Sequence, residues 1–485
     1  MKTTALLACL GLALLSGCSP QNEPTPEYLV LKGATAFDGT GAVLPNSVIV
    51  IKEGRIEAIG GEEVAIPGRS EVRDLTGKFI APGLVDAHVH FGQTGFFDGR
   101  PDALDLTDTL NYAELQSYLQ QHPDRYYEAY LRSGVTAVYD VGGYPWTLAM
   151  QASAENNLNA PHVAAAGPLL TPVSDENLRA VNTPSQKQLI NLSSPEFGRE
   201  AVRQNTSLGS TGIKIWGISL NDPAFMEGLR AVADEVNRQN NTLIVHATDL
   251  DQAKEALRLG ARVLVHSVDD LPVDEEFINL AKQAKAVYCP TLVVVRGYNT
   301  AYRALKGGFV LADPNHAVDA DTRNMLESAD RFFKYLPDPD GYQAMLASND
   351  AYLQRIEKTM AENLQRVYQA GIPIAVSTDA GNPGTLHGIS IYDEMEAMQR
   401  AGIPAAEILV MGTQIGAQTM GRGDDFGTLE PGKMADLIIL EKDPTEDIAH
   451  MRSITHVMRG GLLRPVNQPF ASSDAAAKNQ EHPNN

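Results

Sequence analysis

The chain has 485 residues, a formal net charge of −21 and a hydrophobic fraction of 43%. This length and apolar content suffice for one large domain with additions, or for two domains. The acidic excess argues against a nucleic-acid-binding surface, which requires clustered lysine and arginine.

The N-terminus has the pattern of a secretion signal. Residues 5–15 are apolar but too few to span a bilayer. The sequence LSGC that ends at Cys18 resembles a bacterial lipobox, in which cleavage precedes a cysteine that is then lipidated. We therefore expect residues 1–17 to be a lipoprotein signal peptide and 18–27 to form a polar tether. A plain secretory signal ending near Gly17 is the alternative.

The residue after the lipobox cysteine predicts where such a lipoprotein resides. Ser19 stands where an aspartate would be expected for inner-membrane retention. By analogy with enterobacterial sorting, this favours the cell envelope, with a lipid anchor in the outer membrane and the protein facing the periplasm. In the mature chain Cys289 is then the one cysteine beside Cys18, so we expect no intramolecular disulfide and a buried, small apolar role for Cys289.

The two ends of the mature chain have β-type patterns. Residues 28–81 contain short alternating strands with turn signals, and the pattern returns in 425–467. We predict that these segments form one discontinuous β-sandwich domain. The small, polar segment 468–485 is expected to be a disordered tail.

Between these segments, residues 82–424 alternate between apolar strands and helical stretches, which indicates parallel β/α units. The predicted fold is α/β, a (β/α)8 TIM barrel with the small β domain attached. Residues 297–371 exceed a minimal barrel, and they are either a lid over the catalytic face or a surface addition. The eight predicted barrel strands are 83–90, 135–141, 162–167, 212–216, 242–247, 262–267, 286–295 and 372–378.

Candidate metal ligands lie at the C-terminal ends of these strands. His88 and His90 are two residues apart and point to one face of the first strand, where two imidazoles can hold a metal ion. His246 and His266 end consecutive strands, which favours ligands of a second ion over core histidines. Asp379 follows the eighth strand, where a carboxylate can bind metal and accept a proton. A helix-capping aspartate is the alternative.

Lys214 lies between two isoleucines in the fourth predicted strand, GIKIW. A charged, unpaired lysine in a buried strand is costly. Either its side chain reaches solvent, or its amine is chemically altered.

Beside His246 and His266, five segments match one known family: APGLVDAHVH (81–90), SGVTAVYDVGG (133–143), GIKIW (212–216), STDAG (377–381) and GTLEPGKMADLIIL (427–440). Through them the chain resembles the amidohydrolase superfamily from about residue 28 to 464, and within it the imidazolonepropionase-related and Xaa-Pro dipeptidase-like branch. This resemblance implies that Lys214 is carboxylated by CO₂ and that its carbamate bridges two divalent metal ions.

The resemblance also implies the distribution of ligands and the reaction. The more buried ion would be held by His88, His90, Asp379 and the carbamate, and the other by His246, His266 and the same carbamate. Imidazole and oxygen ligands suit zinc, although manganese, iron and cobalt are not excluded. The expected reaction is hydrolysis of a carbon–nitrogen amide bond by a metal-activated water, with Asp379 as general acid and base.

The substrate is less well defined by the sequence. A dipeptide or N-acyl amino acid is the first expectation, and a cyclic amide, a lactone or a phosphotriester is the alternative. Arg296 and Tyr298, beyond strand seven, are candidates to bind a substrate carboxylate. His387, after strand eight, is a candidate to bind substrate or to support a residue that does. Tyr139 and Tyr144, near strand two, are further candidates to bind substrate.

Two other classes of protein are less compatible with the sequence. A lipid-anchored binding protein that lost catalysis is disfavoured by the complete ligand set, and a mononuclear deaminase-type site is disfavoured by Lys214. A homo-oligomer is compatible with the sequence.

Overall fold

The computed structural model describes residues 26–97, 103–468 and 470. The predicted signal peptide, Cys18 and nearly all of the tether and tail lie outside these residues. Within them, the N-terminal segment forms short strands with buried alternating faces. These strands are β1 (Tyr28–Lys32), β2 (Thr35–Phe37), β3 (Val43–Leu44), β4 (Val48–Lys52), β5 (Arg55–Gly60), β6 (Ser70–Asp74) and β7 (Phe79–Pro82).

The next strands are almost wholly buried and pair in parallel, as expected when helices cover the outer face of a sheet. The strands are β8 (Leu84–Val89), β9 (Val135–Asp140), β10 (His162–Ala165), β11 (Leu169–Thr171), β12 (Leu189–Asn191), β13 (Ile213–Trp216), β14 (Leu243–His246), β15 (Val263–Val265) and β16 (Val287–Cys289). All except β12, which pairs only with β11 at the end of its sheet, form the wall of a barrel.

The third barrel strand is broken into two pieces. Gly167 has a positive φ of 72°, and Pro168 has no backbone N–H to donate, so β10 stops before them. The chain resumes as β11, whose Leu170 pairs with Ile215 of β13. Because β10 pairs with β9 and β11 pairs with β13, the two pieces together keep the barrel wall continuous.

The eighth barrel segment closes the cylinder through a few hydrogen bonds. On one side, the backbone N–H of Ala375 donates to the carbonyl of Tyr288 at 3.1 Å. On the other, the N–H of Ala87 donates to the carbonyl of Val376 at 3.0 Å. The segment 372–378 therefore lies between β16 and β8, and the prediction of a TIM barrel is confirmed.

One strand prediction is wrong in its second half. The prediction extended strand seven through Val295, but β16 ends at Cys289 and a helix begins at Val294. The side chain of Glu394 accepts hydrogen bonds from the backbone N–H groups of Leu292 and Val293. This tertiary contact caps the helix and overrides the β-branched run.

The helices cover the barrel and form its insertions. Met411–Ile415 is a π-helical turn. None of the helices in the described part of the chain has the length and hydropathy needed to cross a bilayer. The helices are α1 (Tyr112–Gln121), α2 (Tyr127–Arg132), α3 (Trp146–Glu155), α4 (Pro195–Ser207), α5 (Pro223–Arg238), α6 (Leu250–Arg258), α7 (Glu275–Ala284), α8 (Val294–Ala304), α9 (Ala320–Glu327), α10 (Tyr342–Gln369), α11 (Ser390–Arg400), α12 (Ala405–Val410) and α13 (Gly416–Thr419).

The chain returns to the β domain in β17 (Leu437–Leu440), β18 (Ile454–Arg459) and β19 (Leu462–Pro465). Strand β17 pairs antiparallel with β7, so strands from both ends of the chain share one sheet. That sheet has the order β19-β18-β17-β7-β2-β3, and a second sheet has the order β5-β4-β1-β6. This is the discontinuous β domain predicted from the sequence.

Candidate metal centre

The six predicted ligand residues come from five different parts of the barrel wall, and all lie at its C-terminal rim. His88 belongs to the end of β8 and His90 follows it, Lys214 belongs to β13 and His246 to β14, while His266 follows β15 and Asp379 follows the closing segment. Parallel strands bring their carboxyl ends to the same face of a barrel, which is where TIM-barrel enzymes build their sites. All six residues except His88 line one cavity of about 310 Å³.

The carboxylate of Asp379 is the centre of this cluster. Its Oδ1 lies 3.2 Å from Nε2 of His88 and 3.0 Å from Nε2 of His90. Its Oδ2 lies 4.0 Å from Nδ1 of His266, and the ring centroids of His246 and His266 are 4.3 Å apart. His88, His266 and Asp379 each offer a ligand atom within 4.8 Å of the other two.

The residues fit a divalent cation. Ligands bound at about 2.0–2.2 Å from one ion lie roughly 3.3 Å from each other, close to the separations around Asp379 Oδ1. Neutral imidazole nitrogens and carboxylate oxygens are ligands of choice for zinc and related ions. The buried Nδ1 of His88 has no hydrogen-bond partner within the described residues. The donor set therefore suits a resident metal better than a self-contained polar core.

Burial and mutual electrostatics favour the protonation states that bind metal. Burial lowers the pKa of His88 well below its ordinary value, which keeps the imidazole neutral. Burial opposes ionisation of Asp379, but the imidazoles of His88, His90 and His266 hold its pKa well below the usual range. An ionised carboxylate among neutral imidazoles is the state that can bind a cation.

Two of the cluster residues have backbone conformations that are unusual for residues other than glycine. His266 has φ of 75° and Asp379 has φ of 59°, and neighbouring Thr291 has φ of 46°. The hydroxyl of Thr291 lies 2.8 Å from Nδ1 of His266 and orients its ring. Such conformations cost free energy and concentrate at functional sites.

Lys214 is buried, with 1% of its surface exposed. No carboxylate among the described residues forms an ion pair with it. Burial lowers the pKa of its amine to about 7. A fraction of the amine is thus uncharged near neutral pH, inside the cavity that also contains the imidazoles.

Of the two predicted substrate residues on α8, one lines the cavity and the other does not. Tyr298 lines the cavity, and its hydroxyl donates to Oδ1 of Asn382 at 3.1 Å. Arg296 does not line it, because α8 directs its side chain outward to an ion pair with Glu357. The predicted contact of Arg296 with substrate therefore has no support from the cavity lining and stays a prediction.

His387 also lies away from the cavity and supports its floor. Its Nε2–H donates to the backbone carbonyl of Gln93 at 2.9 Å, and its Nδ1 lies 2.7 Å from the hydroxyl of Tyr130. The Gln93 side chain lines the cavity. His387 thus contacts the backbone of a cavity residue, and its predicted role at the substrate site stays a prediction. Tyr139 and Tyr144 are buried and do not line the cavity.

Sequence reasoning missed several residues of the cavity. Tyr352 and Met360 reach it from α10, so the insertion 297–371 forms one of its walls. Trp216 is two residues beyond Lys214, and Asp269 is three residues beyond His266, so their closeness in sequence to predicted ligands could have indicated a place in the cavity. Nothing in the sequence indicated the residues from α10, since their approach to the cavity depends on how a long insertion folds back.

A TIM barrel with a cluster of imidazoles and a carboxylate at its C-terminal rim defines the class of metal-dependent hydrolases. The model of the amidohydrolase family matches residues 79–463, and the chain belongs to this family. It is a hydrolase that acts on carbon–nitrogen bonds of the amide type.

Individual relatives are more distant. Ochratoxinase of Aspergillus niger is 25% identical over 475 residues, covering 90% of this chain and 86% of the relative. Imidazolonepropionase of Syntrophobacter fumaroxidans is 24% identical over 470 residues, covering 90% and 92%. A solved Xaa-Pro dipeptidase with bound methionine superimposes with a TM-score of 0.66 at 22% identity, covering 90% of this chain and 100% of that one.

Proposed function

We propose that this protein is a binuclear metal-dependent hydrolase that cleaves the amide bond of a dipeptide or an N-acyl amino acid. The observation that carries the proposal is the convergence of four imidazoles, one carboxylate and one buried lysine at the rim of the barrel. Two ions need more ligand atoms than the histidines and Asp379 offer. A carboxylated Lys214 would supply two further oxygens.

Each group has a role in this proposal. His88, His90 and Asp379 would hold one ion, His246 and His266 would hold the second, and a carbamate on Lys214 would be a ligand common to both. When bound, such ions, zinc in the first instance, would lower the pKa of a water molecule and polarise the substrate carbonyl.

The environment of Lys214 supports its carboxylation. Only an uncharged amine can attack CO₂, and burial lowers its pKa to about 7. The modification replaces a buried, unpaired cation by an anion, which the ions then neutralise. This removes the penalty for an uncompensated charge.

Asp379 moves the proton. Its carboxylate faces the imidazole cluster from the closing segment, 3.0 Å from Nε2 of His90. It would accept that proton and deliver it to the departing amine. The apolar walls from Leu169, Val294 and Met360 would exclude bulk water.

The decisive experiment combines metal analysis with a hydrolysis panel on protein that lacks residues 1–18. We expect close to two divalent ions per chain, turnover of dipeptides or acyl amino acids, and an intact mass raised by one CO₂. The control Lys214→Gln should lose the added mass and at least one ion. Two ions with turnover of lactones or phosphotriesters alone would reject the amide assignment, and absence of metal would favour a binding protein.

A cyclic amide is the second candidate substrate. The relatives named imidazolonepropionase favour it, since the same activated water and the same proton carrier serve a ring amide. Inclusion of cyclic amides in the panel separates the two candidates. Turnover of ring amides without turnover of dipeptides would select the second.

We also propose that Cys18 is lipidated and anchors the enzyme in the bacterial outer membrane on the periplasmic side. The lipobox-like sequence and the polar tether support this. Metabolic labelling with a fatty acid is expected to mark the wild-type chain and not Cys18→Ser. Equal labelling, or recovery of the wild-type chain in the soluble fraction, would contradict the proposal.

A further inference from the structure

The cavity has one carboxylate that takes no part in the imidazole cluster. Asp269 lies on the loop after β15 and lines the cavity. Its carboxylate has no hydrogen bond or ion pair within the described residues. The neighbouring Asp270 differs, because its Oδ1 accepts hydrogen bonds from the backbone N–H groups of Leu250 and Leu271. The two adjacent aspartates therefore have different roles, one structural and one open to the cavity.

The loop that carries Asp269 is rigidly held. The backbone N–H of Asp269 donates to the carbonyl of Thr248 at 2.9 Å. The N–H of Val268 donates to the hydroxyl of Tyr288 at 2.9 Å. The side-chain amide of Asn363, on α10, donates to the carbonyls of Val268 and Leu271 at 2.9 Å each. The position of the carboxylate is thus set before a substrate arrives, as recognition groups require.

Away from the proposed metal ions, the charges of the cavity lining favour a cation. Lys214 is the one lysine or arginine among the described residues that line it, and its proposed carboxylation would make it an anion. Arg355 acts on Asp269 from a distance without forming an ion pair, and its guanidinium packs over the ring of Tyr352, 5.2 Å from the centroid. The aromatic side chains of Tyr352 and Trp216 also line the cavity, and aromatic rings attract cations.

Asp269 is also partly desolvated. Burial and the adjacent Asp270 raise its pKa to about 6, against the effect of Arg355. A positively charged partner would remove this penalty, since an opposite charge favours the ionised form.

From this geometry we infer that Asp269 is a specificity-determining residue, which pairs with a protonated amine or guanidinium of the substrate. The inference rests on the proposed function, because it names the substrate class of the same site. It favours dipeptides or acylated amines with a cationic side chain over substrates with an additional carboxylate.

The test compares substrates that differ by one charge. Alanyl-lysine, alanyl-norleucine and alanyl-glutamate are assayed beside lysyl-alanine, norleucyl-alanine and glutamyl-alanine. Norleucine matches the lysine side chain without its ammonium group. In at least one series we expect wild-type kcat/KM to favour lysine over norleucine by about tenfold or more, as a partly buried charge pair would.

The variants assign the preference to one residue. Asp269→Asn should reduce the lysine-to-norleucine ratio to within about threefold of unity, while turnover of the norleucine substrates persists. The matched control Asp270→Asn should keep the wild-type ratio, although its stability falls. A ratio near one in the wild type, an unchanged ratio in Asp269→Asn, or a preference for glutamate would overturn the inference and leave amide hydrolysis intact.

A binding measurement distinguishes a failure of the proposed function from a failure of the inference about Asp269. If no member of the panel is hydrolysed, the proposed function fails for this substrate class. Thermal shifts of the metal-loaded protein with N-acetyl-lysine amide and N-acetyl-norleucine amide then decide the inference. The inference is supported if the lysine compound raises the melting temperature more than the norleucine compound and this difference is lost in Asp269→Asn. Equal shifts with the two compounds overturn the inference.

Discussion

The carboxylate of Asp86 accepts two hydrogen bonds from Thr378, one from its backbone N–H at 3.0 Å and one from its hydroxyl at 2.6 Å. Asp86 belongs to β8, and Thr378 belongs to the segment that closes the barrel. This contact therefore sets the separation of the two elements that carry His88 and Asp379. Because burial raises the pKa of Asp86 to about 7, the hydrogen bonds from Thr378 are needed to stabilise its ionised form.

Thr378→Val is expected to destabilise the fold by about 1–3 kcal/mol, because it leaves a buried carboxylate oxygen without its hydroxyl donor. Chemical denaturation measures the free energy of unfolding. Thr136→Val is the matched control, since Thr136 is equally buried on β9 and its hydroxyl has no partner within the described residues. Equal losses in both variants would contradict a specific role for the contact.

Asp379→Asn is expected to keep the fold and to lower kcat by roughly 100-fold or more, because an amide cannot accept the proton. Circular dichroism and steady-state kinetics on the same preparation test this, with the exposed Asp321→Asn as control. Near-normal turnover would remove Asp379 from the mechanism.

Removal of the metal ions with a chelator is expected to abolish turnover and to lower the melting temperature, because ions bound only by the native state stabilise it. Addition of zinc should restore both. In the double variant His88→Ala, His246→Ala the chelator should have little further effect. A wild-type melting temperature that does not respond to the chelator would argue against resident ions.

The buried side chain of Glu394 is expected to make the free energy of unfolding depend on pH. Burial raises its pKa to about 8, from 4.5. Because the folded-state pKa lies above the unfolded value, the stability contribution is complete below about pH 4.5 and is lost as the pH rises through about 8. Relative to the wild type, Glu394→Gln should therefore gain stability between pH 5 and 9, on the order of a few kcal/mol. If the curves of unfolding free energy against pH were parallel for the wild type and Glu394→Gln, the raised pKa of Glu394 would be contradicted.

Glu394→Gln has a second expected effect on structure. It replaces one of the two oxygens that accept hydrogen bonds from Leu292 and Val293, so the start of α8 should loosen. Hydrogen exchange at these two amides measures this. Amides further along α8 serve as the internal control.

The sequence alone determined the class of fold and the candidate ligand set. Apolar runs with a polar residue at their C-terminal ends predict parallel strands, and parallel strands place those ends on one rim. The two-residue spacing of His88 and His90 is a property of any strand. The closing motif around residues 427–440 also indicated that both ends of the chain share a β domain.

Only the tertiary structure decided which other residues face the cavity. The neighbours Asp269 and Asp270 have the same chemistry, and the hydrogen bonds of one loop assign one to the cavity and the other to a helix start. Arg296 and Tyr298 are two residues apart on α8, and the helical rotation between them sends one to Glu357 and the other into the cavity. Strand polarity is a local property of the chain, whereas these orientations depend on contacts between segments far apart in sequence.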